Sequence, residues 1–132
     1  MTHPSARADE TRKTWKAVLE TYHEDRSTPV TPEYWSDKDT WSRDRIEAVQ
    51  NEKIAAVAPF LYENSAFYRR RFDKLGVAPT DLKDGDSLIA NWPIVTKQEM
   101  MEDATEHPPY GTYTTCSDED WADRGWMLFS SS

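Results

Sequence analysis

The chain has 132 residues, 37% hydrophobic and 30% charged, and its 16 Lys and Arg against 24 Asp and Glu give a formal charge of -8. A chain of this length makes one small domain that hides about two-thirds of its unfolded surface. The low apolar share, with a mean hydropathy of -0.87, leaves a thin core and suggests a partner surface. The acidic balance opposes broad contact with nucleic acid or an anionic membrane, because both need clustered positive charge. Most of the deficit lies late: residues 98–132 hold 1 basic and 8 acidic groups, whereas residues 1–45 hold 8 and 9. Cys116 is the single cysteine, so no internal disulfide forms and a reducing, cytoplasmic compartment is expected. The start carries Pro4, Arg7, Asp9 and Glu10, and no run of 18 apolar residues occurs. Neither a signal peptide nor a membrane span is expected.

Trp15, Val18, Leu19 and Tyr22 fall at i, i+3, i+4 and i+7 and predict an amphipathic helix over 10–24. The following STPVTPEYWSDKDTW carries Pro29 and Pro32 and reads as a loop wrapping a neighbour, anchored by Tyr34, Trp35 and Trp41. Ser42 caps a second helix with Ile46, Val49, Ile54, Val57 and Leu61 on its apolar face, and Pro59 either kinks it or ends it. Ser65 caps a third, of about ten residues, closed by Gly76 as a left-handed terminator. After a turn at Pro79, Thr80 and Asp81, a short segment with Leu88, Ile89 and Trp92 is capped by Asp86 or Ser87 and broken by Pro93. Thr96 and Glu99 form a capping box for a helix through Met100 and Met101. HPPYGTYTT predicts an extended loop, and the continuously apolar Trp126, Met127, Leu128 and Phe129 a short buried strand that exits at Ser130, Ser131 and Ser132.

Few of these residues suggest chemistry by themselves. His3, His23 and His107 lack zinc-site spacing, and Asp118, Glu119, Asp120 and Asp123 lack the glycine and terminal glutamate of a calcium loop, so no metal site is expected. Cys116, among acidic neighbours, is not expected to act as a nucleophile. Arg69, Arg70 and Arg71 point around their helix and cannot all grip one phosphate. They read as a solvated face, or as salt bridges to Asp73 and other carboxylates, more readily than as an anion or coenzyme contact.

The run YENSAFYRRRFDKLGVAPTDLKDGDSLIANWPIVTKQEM resembles the amino-terminal portion of phenylacetate-coenzyme A ligases, members of the adenylate-forming superfamily. Tyr62, Glu63, Asn64, Phe67, Tyr68, Phe72, Gly76, Pro93, Thr96 and Lys97 carry the likeness. Trp41, Ser42 and the stretch from Arg43 to Pro59 extend it upstream, and Pro109, Tyr110 and Gly111 extend it downstream. It covers about residues 40–132, leaving 1–39 as an extension with one amphipathic helix and the aromatic, proline-rich wrap. The fold this implies is the mainly helical amino-terminal portion of an α/β adenylate-forming ligase. That portion ends in a strand, Trp126 to Phe129, entering the phosphate-binding loop, and is incomplete as an enzyme fold.

The resemblance implies an ATP-dependent aryl- or acyl-coenzyme A ligase, in which a small carboxylic acid is adenylated with magnesium-bound ATP and then passed to coenzyme A. Ser130, Ser131 and Ser132 match the start of the phosphate loop and are the implied nucleotide-side residues. Tyr110 and Trp126 are implied supports of the acyl pocket, and Arg69 to Arg71 have no assignable inherited role. No catalytic residue is expected in this chain. It would act as a portion or small subunit that needs a larger catalytic portion, with ATP, magnesium and coenzyme A bound only in the completed assembly. A noncatalytic adaptor or regulatory subunit on the same scaffold is the alternative reading.

Overall fold

A computed structural model of the chain describes residues 5–23, 31–116, 120 and 122. The described residues are mainly helical and include five α-helices with defined bounds: α1 (Ala6–Thr21), α2 (Arg43–Asn64), α3 (Ala66–Leu75), α4 (Gly85–Asn91) and α5 (Lys97–Glu106). Short 3-10 turns lie at Asp37–Thr40 and Pro79–Asp81. No strand occurs among the described residues, and the strand expected over Trp126 to Phe129 lies outside them. Among the described residues, no helix is long and apolar enough to cross a membrane.

Helix α1 begins four residues before the predicted start because the Ser5 side chain accepts the Ala8 N–H and caps it there. Its inward stripe runs through Ala8, Thr11, Trp15, Val18 and Tyr22, while Leu19 lies outward. Trp15 stacks on Phe60 of α2 with ring centroids 6.3 Å apart. In the wrap, only Trp41 acts as an anchor. Its ring lies 4.0 Å from the Arg45 guanidinium and 5.8 Å from the Lys38 ammonium, whereas Tyr34 and Trp35 are exposed. The wrap is instead ordered by polar turns, with Asp39 accepting the N–H groups of Trp35 and Ser36.

Helix α2 is capped by Ser42, as predicted, and continues through Pro59 to Asn64. Its second half is apolar on more than one side, which places it between neighbours. Ala56, Ala58 and Phe60 are buried. Ala58 meets Phe72 of α3 and Leu82 in the core, with Ile54, Leu61, Tyr62, Val77, Leu88 and Trp92 packed around them. Phe72 is 1% exposed, and such a side chain contributes roughly 1.5–3 kcal/mol by leaving water. Tyr62 meets its ring edge-on at 5.7 Å, and Trp92 tilts against it at 4.3 Å.

Ser65 caps α3, and Gly76, at φ 66°, closes it in the left-handed region. The cap of α4 is Asp84, not Asp86 or Ser87. Asp84 accepts the Ser87 N–H at 2.7 Å, and the Ser87 hydroxyl takes the Asp84 N–H, so Ser87 is the returning half of a capping box. Thr96 and Glu99 form the expected box at α5.

After α5 the chain does not run extended from His107 as expected but turns back, the Gly111 N–H donating to the His107 carbonyl at 2.8 Å, and Gly111 carries the turn at φ 73°. A Cβ there would sit 2.5 Å from Asp103 Oδ2 and 3.2 Å from the Ala104 Cα. Gly111→Ala therefore combines an unfavourable backbone region with a clash against the enclosed Asp103 carboxylate, and should lower stability by about 2–4 kcal/mol. Urea denaturation checks this, with Gly76→Ala, which meets nothing within 4 Å, as the milder control that isolates the backbone penalty.

Candidate functional site

The three consecutive arginines of α3 diverge, as the helical geometry requires. Arg69 donates to the carbonyls of Tyr62 and Glu63, both at 2.9 Å, with the Glu63 carboxylate 3.7 Å away. Arg70 reaches Asp103 at 2.6 Å and the Thr112 hydroxyl at 2.9 Å. Arg71 meets Glu99 at 2.6 Å and the carbonyls of Pro93 and Ile94 at 2.8 and 3.0 Å, with its guanidinium over Trp92. The salt-bridge reading of this run therefore holds, with Glu63, Asp103 and Glu99 as partners. Asp73 instead accepts the Tyr62 hydroxyl at 3.2 Å.

A shallow groove of about 210 Å³ lies between α3 and α5, lined by Phe67, Arg70, Arg71, Lys74, Glu99, Glu102, Asp103 and Glu106. Its three cations face four carboxylates, so it has no excess positive field to draw a phosphate. Asp103 is the pivot, with a side chain only 4% exposed. It accepts the Thr112 N–H and hydroxyl as well as Arg70, and His107 stands 3.5 Å away. Burial pushes its pKa up, but the Thr112 bonds, then Arg70 and His107, outweigh it and hold the carboxyl below its usual range. The Thr96 N–H, then Arg71 and the Thr96 hydroxyl, hold Glu99 down to about 2.

A second cluster joins α1, the end of α2 and the chain after the turn. Arg12 contacts Asn64 Oδ1 at 2.9 Å, the Thr115 carbonyl at 2.7 Å and Asp120 Oδ2 at 3.0 Å. Asn64 Nδ2 in turn reaches the Ala8 carbonyl, the Thr11 hydroxyl and the Phe60 carbonyl. The Ser65 hydroxyl donates toward the carbonyls of Thr112 and Tyr113, at 3.0 and 3.2 Å. The Tyr62, Glu63 and Asn64 triplet is thus bracing throughout, since Glu63 also pairs with Arg7 at 3.2 Å.

Of the residues singled out from sequence, Tyr110 lies on the turn after α5 and is 47% exposed. Ser130, Ser131, Ser132 and Trp126 lie outside the described residues. Among the described residues, no group of three or more His, Cys, Asp or Glu is placed to hold a metal ion. Asp103 and Arg12 were missed by sequence reasoning, although both carried a signal. Arg12 interrupts the α1 stripe between Ala8 and Trp15, and Asp103 follows Glu99 by one helical turn on the inward face; a charge on an inward face implies a partner.

These two depressed carboxyls, with that of Asp84, which the Ser87 N–H and then its hydroxyl hold below the ordinary value, give an acid response. A carboxylate whose folded pKa lies below its unfolded one stabilises the fold above the unfolded value and loses that contribution as pH falls through the folded one. Stability should therefore fall as pH drops from 4.5, the ordinary value for Glu99, toward about 2, with Asp103 contributing below its ordinary 3.8. Urea midpoints followed across this window should decline less steeply in Asp103→Asn and Glu99→Gln than in the wild type.

No family model matches the chain. The phenylacetate-coenzyme A ligase of Escherichia coli (strain K12) is 34% identical over 64 residues, 48% of this chain and 14% of that protein. That of Thermus thermophilus is 28% identical over 86 residues, 65% of this chain and 18% of that protein. Among solved structures, a crystal structure of 2-hydroxyisobutyryl-CoA ligase in the postadenylation state, in complex with 2-HIB-AMP, matches with a TM-score of 0.67. The match has 24% identity and covers 81% of this chain and 22% of that one. The chain thus spans less than a quarter of the length of each of these proteins. Its helices have the fold of one part of a coenzyme A ligase, and its sequence is that of a ligase-like segment similar to phenylacetate-coenzyme A ligases.

Proposed function

We propose that the chain is a working part of an ATP-dependent aryl- or acyl-coenzyme A ligase and contributes the braced helical portion on which a larger catalytic portion is completed. The observation that carries this reading is the agreement of sequence and fold: 34% identity over 64 residues to one such ligase, and a TM-score of 0.67 to a part of another. The shares of 14%, 18% and 22% of the relatives' lengths favour a larger remainder.

In the completed assembly, magnesium-bound ATP supplies the activating group for a small carboxylic acid, and coenzyme A supplies the thiol that receives it. The described residues offer no phosphate cradle of their own, because Arg70 and Arg71 are committed to Asp103 and Glu99 and to neighbouring oxygens. Ser130, Ser131 and Ser132, which the resemblance matches to the start of the phosphate loop, are the proposed nucleotide contacts on this chain. The remaining contacts fall to the larger portion. Tyr110, half exposed at its turn, and Trp126 are the proposed aromatic supports of the acyl pocket. What the described residues do is hold the helices and the departing chain in one geometry, the requirement for orienting reactants.

The test is carboxylate-dependent exchange of pyrophosphate into magnesium-ATP, over a panel of aromatic and aliphatic acids. It is run with this chain alone, with a larger chain encoded beside it or continuing its reading frame, and with both together. Exchange is expected only from the two together. Activity that never depends on this chain overturns the proposal. Stable association that leaves the chemistry unchanged, including after Ser130 to Ser132 are replaced by alanine, marks the adaptor instead.

A further inference from the structure

We propose that Arg12 is a positioning residue, a clamp by which helix α1 fixes the course of the chain leaving the ligase-like core. The inference rests on the ligase reading for its consequence, but its geometry stands independently. One guanidinium gathers three oxygens from separate stretches of chain: Asn64 Oδ1 at the end of α2, the Thr115 carbonyl, and Asp120 Oδ2. Its flat face lies 5.5 Å from the Phe60 ring centroid, and the Arg12 and Asp120 side chains are 18% and 19% exposed. This is not a solvated surface pair of negligible worth, because the fork is backed by an aromatic face and most of its water is excluded.

The partners are themselves held in place. Asn64 cannot swing away, since its amide nitrogen is engaged by Ala8, Thr11 and Phe60. The near end of the same segment is tied to the start of α3, where Ser65 meets the carbonyls of Thr112 and Tyr113 and the Phe67 N–H donates to the Thr112 carbonyl. The chain from Thr112 is therefore fixed first by α3 and next, at Thr115 and Asp120, by α1. Ser130 follows Asp120 by ten residues in sequence. A guanidinium suits this task and an ammonium does not, because the three acceptors call for several donors in fixed directions. On this reading, the helix that lies outside the sequence resemblance holds the chain at Thr115 and Asp120, ahead of the proposed nucleotide-side residues in sequence.

Hydrogen exchange on the intact chain, followed by mass spectrometry, tests the clamp. Arg12→Gln should speed exchange over residues 112–116 by about tenfold while α2 and α3 keep their protection. Asp120→Asn, which leaves the contacts between α1 and α2 intact, should do so more weakly. Arg12→Lys should recover only part of the loss. Unchanged exchange over 112–116 in both Arg12→Gln and Asp120→Asn overturns the clamp, whatever the enzyme does. In the reconstituted ligase, Asp120→Asn and Arg12→Gln should raise KM for ATP about five-fold or more with kcat within about two-fold. A lower melting temperature with unchanged KM for ATP reduces Arg12 to a brace and also overturns the proposal. A wild-type assembly without pyrophosphate exchange refutes the ligase reading instead and leaves the clamp to be judged by hydrogen exchange.

Discussion

The fold depends on guanidinium groups doing what its few apolar side chains cannot. The central cluster of buried residues is Ala58, Phe72 and Leu82, too small to order the long connections around it by burial alone. Arginines 12, 69, 70 and 71 supply the missing order. Arg12, Arg70 and Arg71 each span from a helix to a turn or loop, Arg69 joins α3 to the last turn of α2, and each bonds at least one backbone carbonyl or hydroxyl besides a carboxylate. Arg69 and Arg70 stay about half exposed and gain directional bonds without the full cost of burying a charge, whereas Arg12 and Arg71 are mostly enclosed. Asp103 is more enclosed still. Its carboxylate is almost fully enclosed, and it tolerates this because donors from Thr112 and Arg70 surround it.

This arrangement gives several residues that mark the likeness to coenzyme A ligases a bracing role. Tyr62 holds Asp73, Glu63 pairs with Arg7 and Arg69, Asn64 ties α1 to α2, and Thr96 caps α5. Their chemistry is that of geometry. A site that must orient an acid, a nucleotide and a thiol needs a frame that keeps its loops in register, and charged forks hold a loop in direction as well as distance.

Much of the local structure was legible in the sequence because its causes are local. The Ser42, Ser65 and Thr96 caps and the Gly76 terminator each follow from a side chain satisfying backbone groups within three or four residues. Where the reading slipped, a nearer residue competed for the same role. Ser5 started α1 early, and Asp84 displaced Asp86 and Ser87 as the cap of α4 because Ser87 served better as the returning partner. The aromatic wrap was misjudged for a different reason. Tyr34 and Trp35 suggested anchoring by apolar burial, but Asp39 satisfies the backbone there and leaves both rings outside.

By itself the sequence determined the mainly helical class, the boundaries at the Ser42, Ser65 and Thr96 caps and the Gly76 terminator, and a likeness to coenzyme A ligases carried by ordered residues. Only the tertiary structure decided which charges are joined. The partners of Arg12, Arg70 and Arg71 lie 103 and 108, 33, and 28 residues away along the chain, and no periodicity encodes such a distance. Choosing among 24 carboxylates requires knowing which helices pack. That packing is fixed by shape and burial summed over the whole chain, and not by any local run.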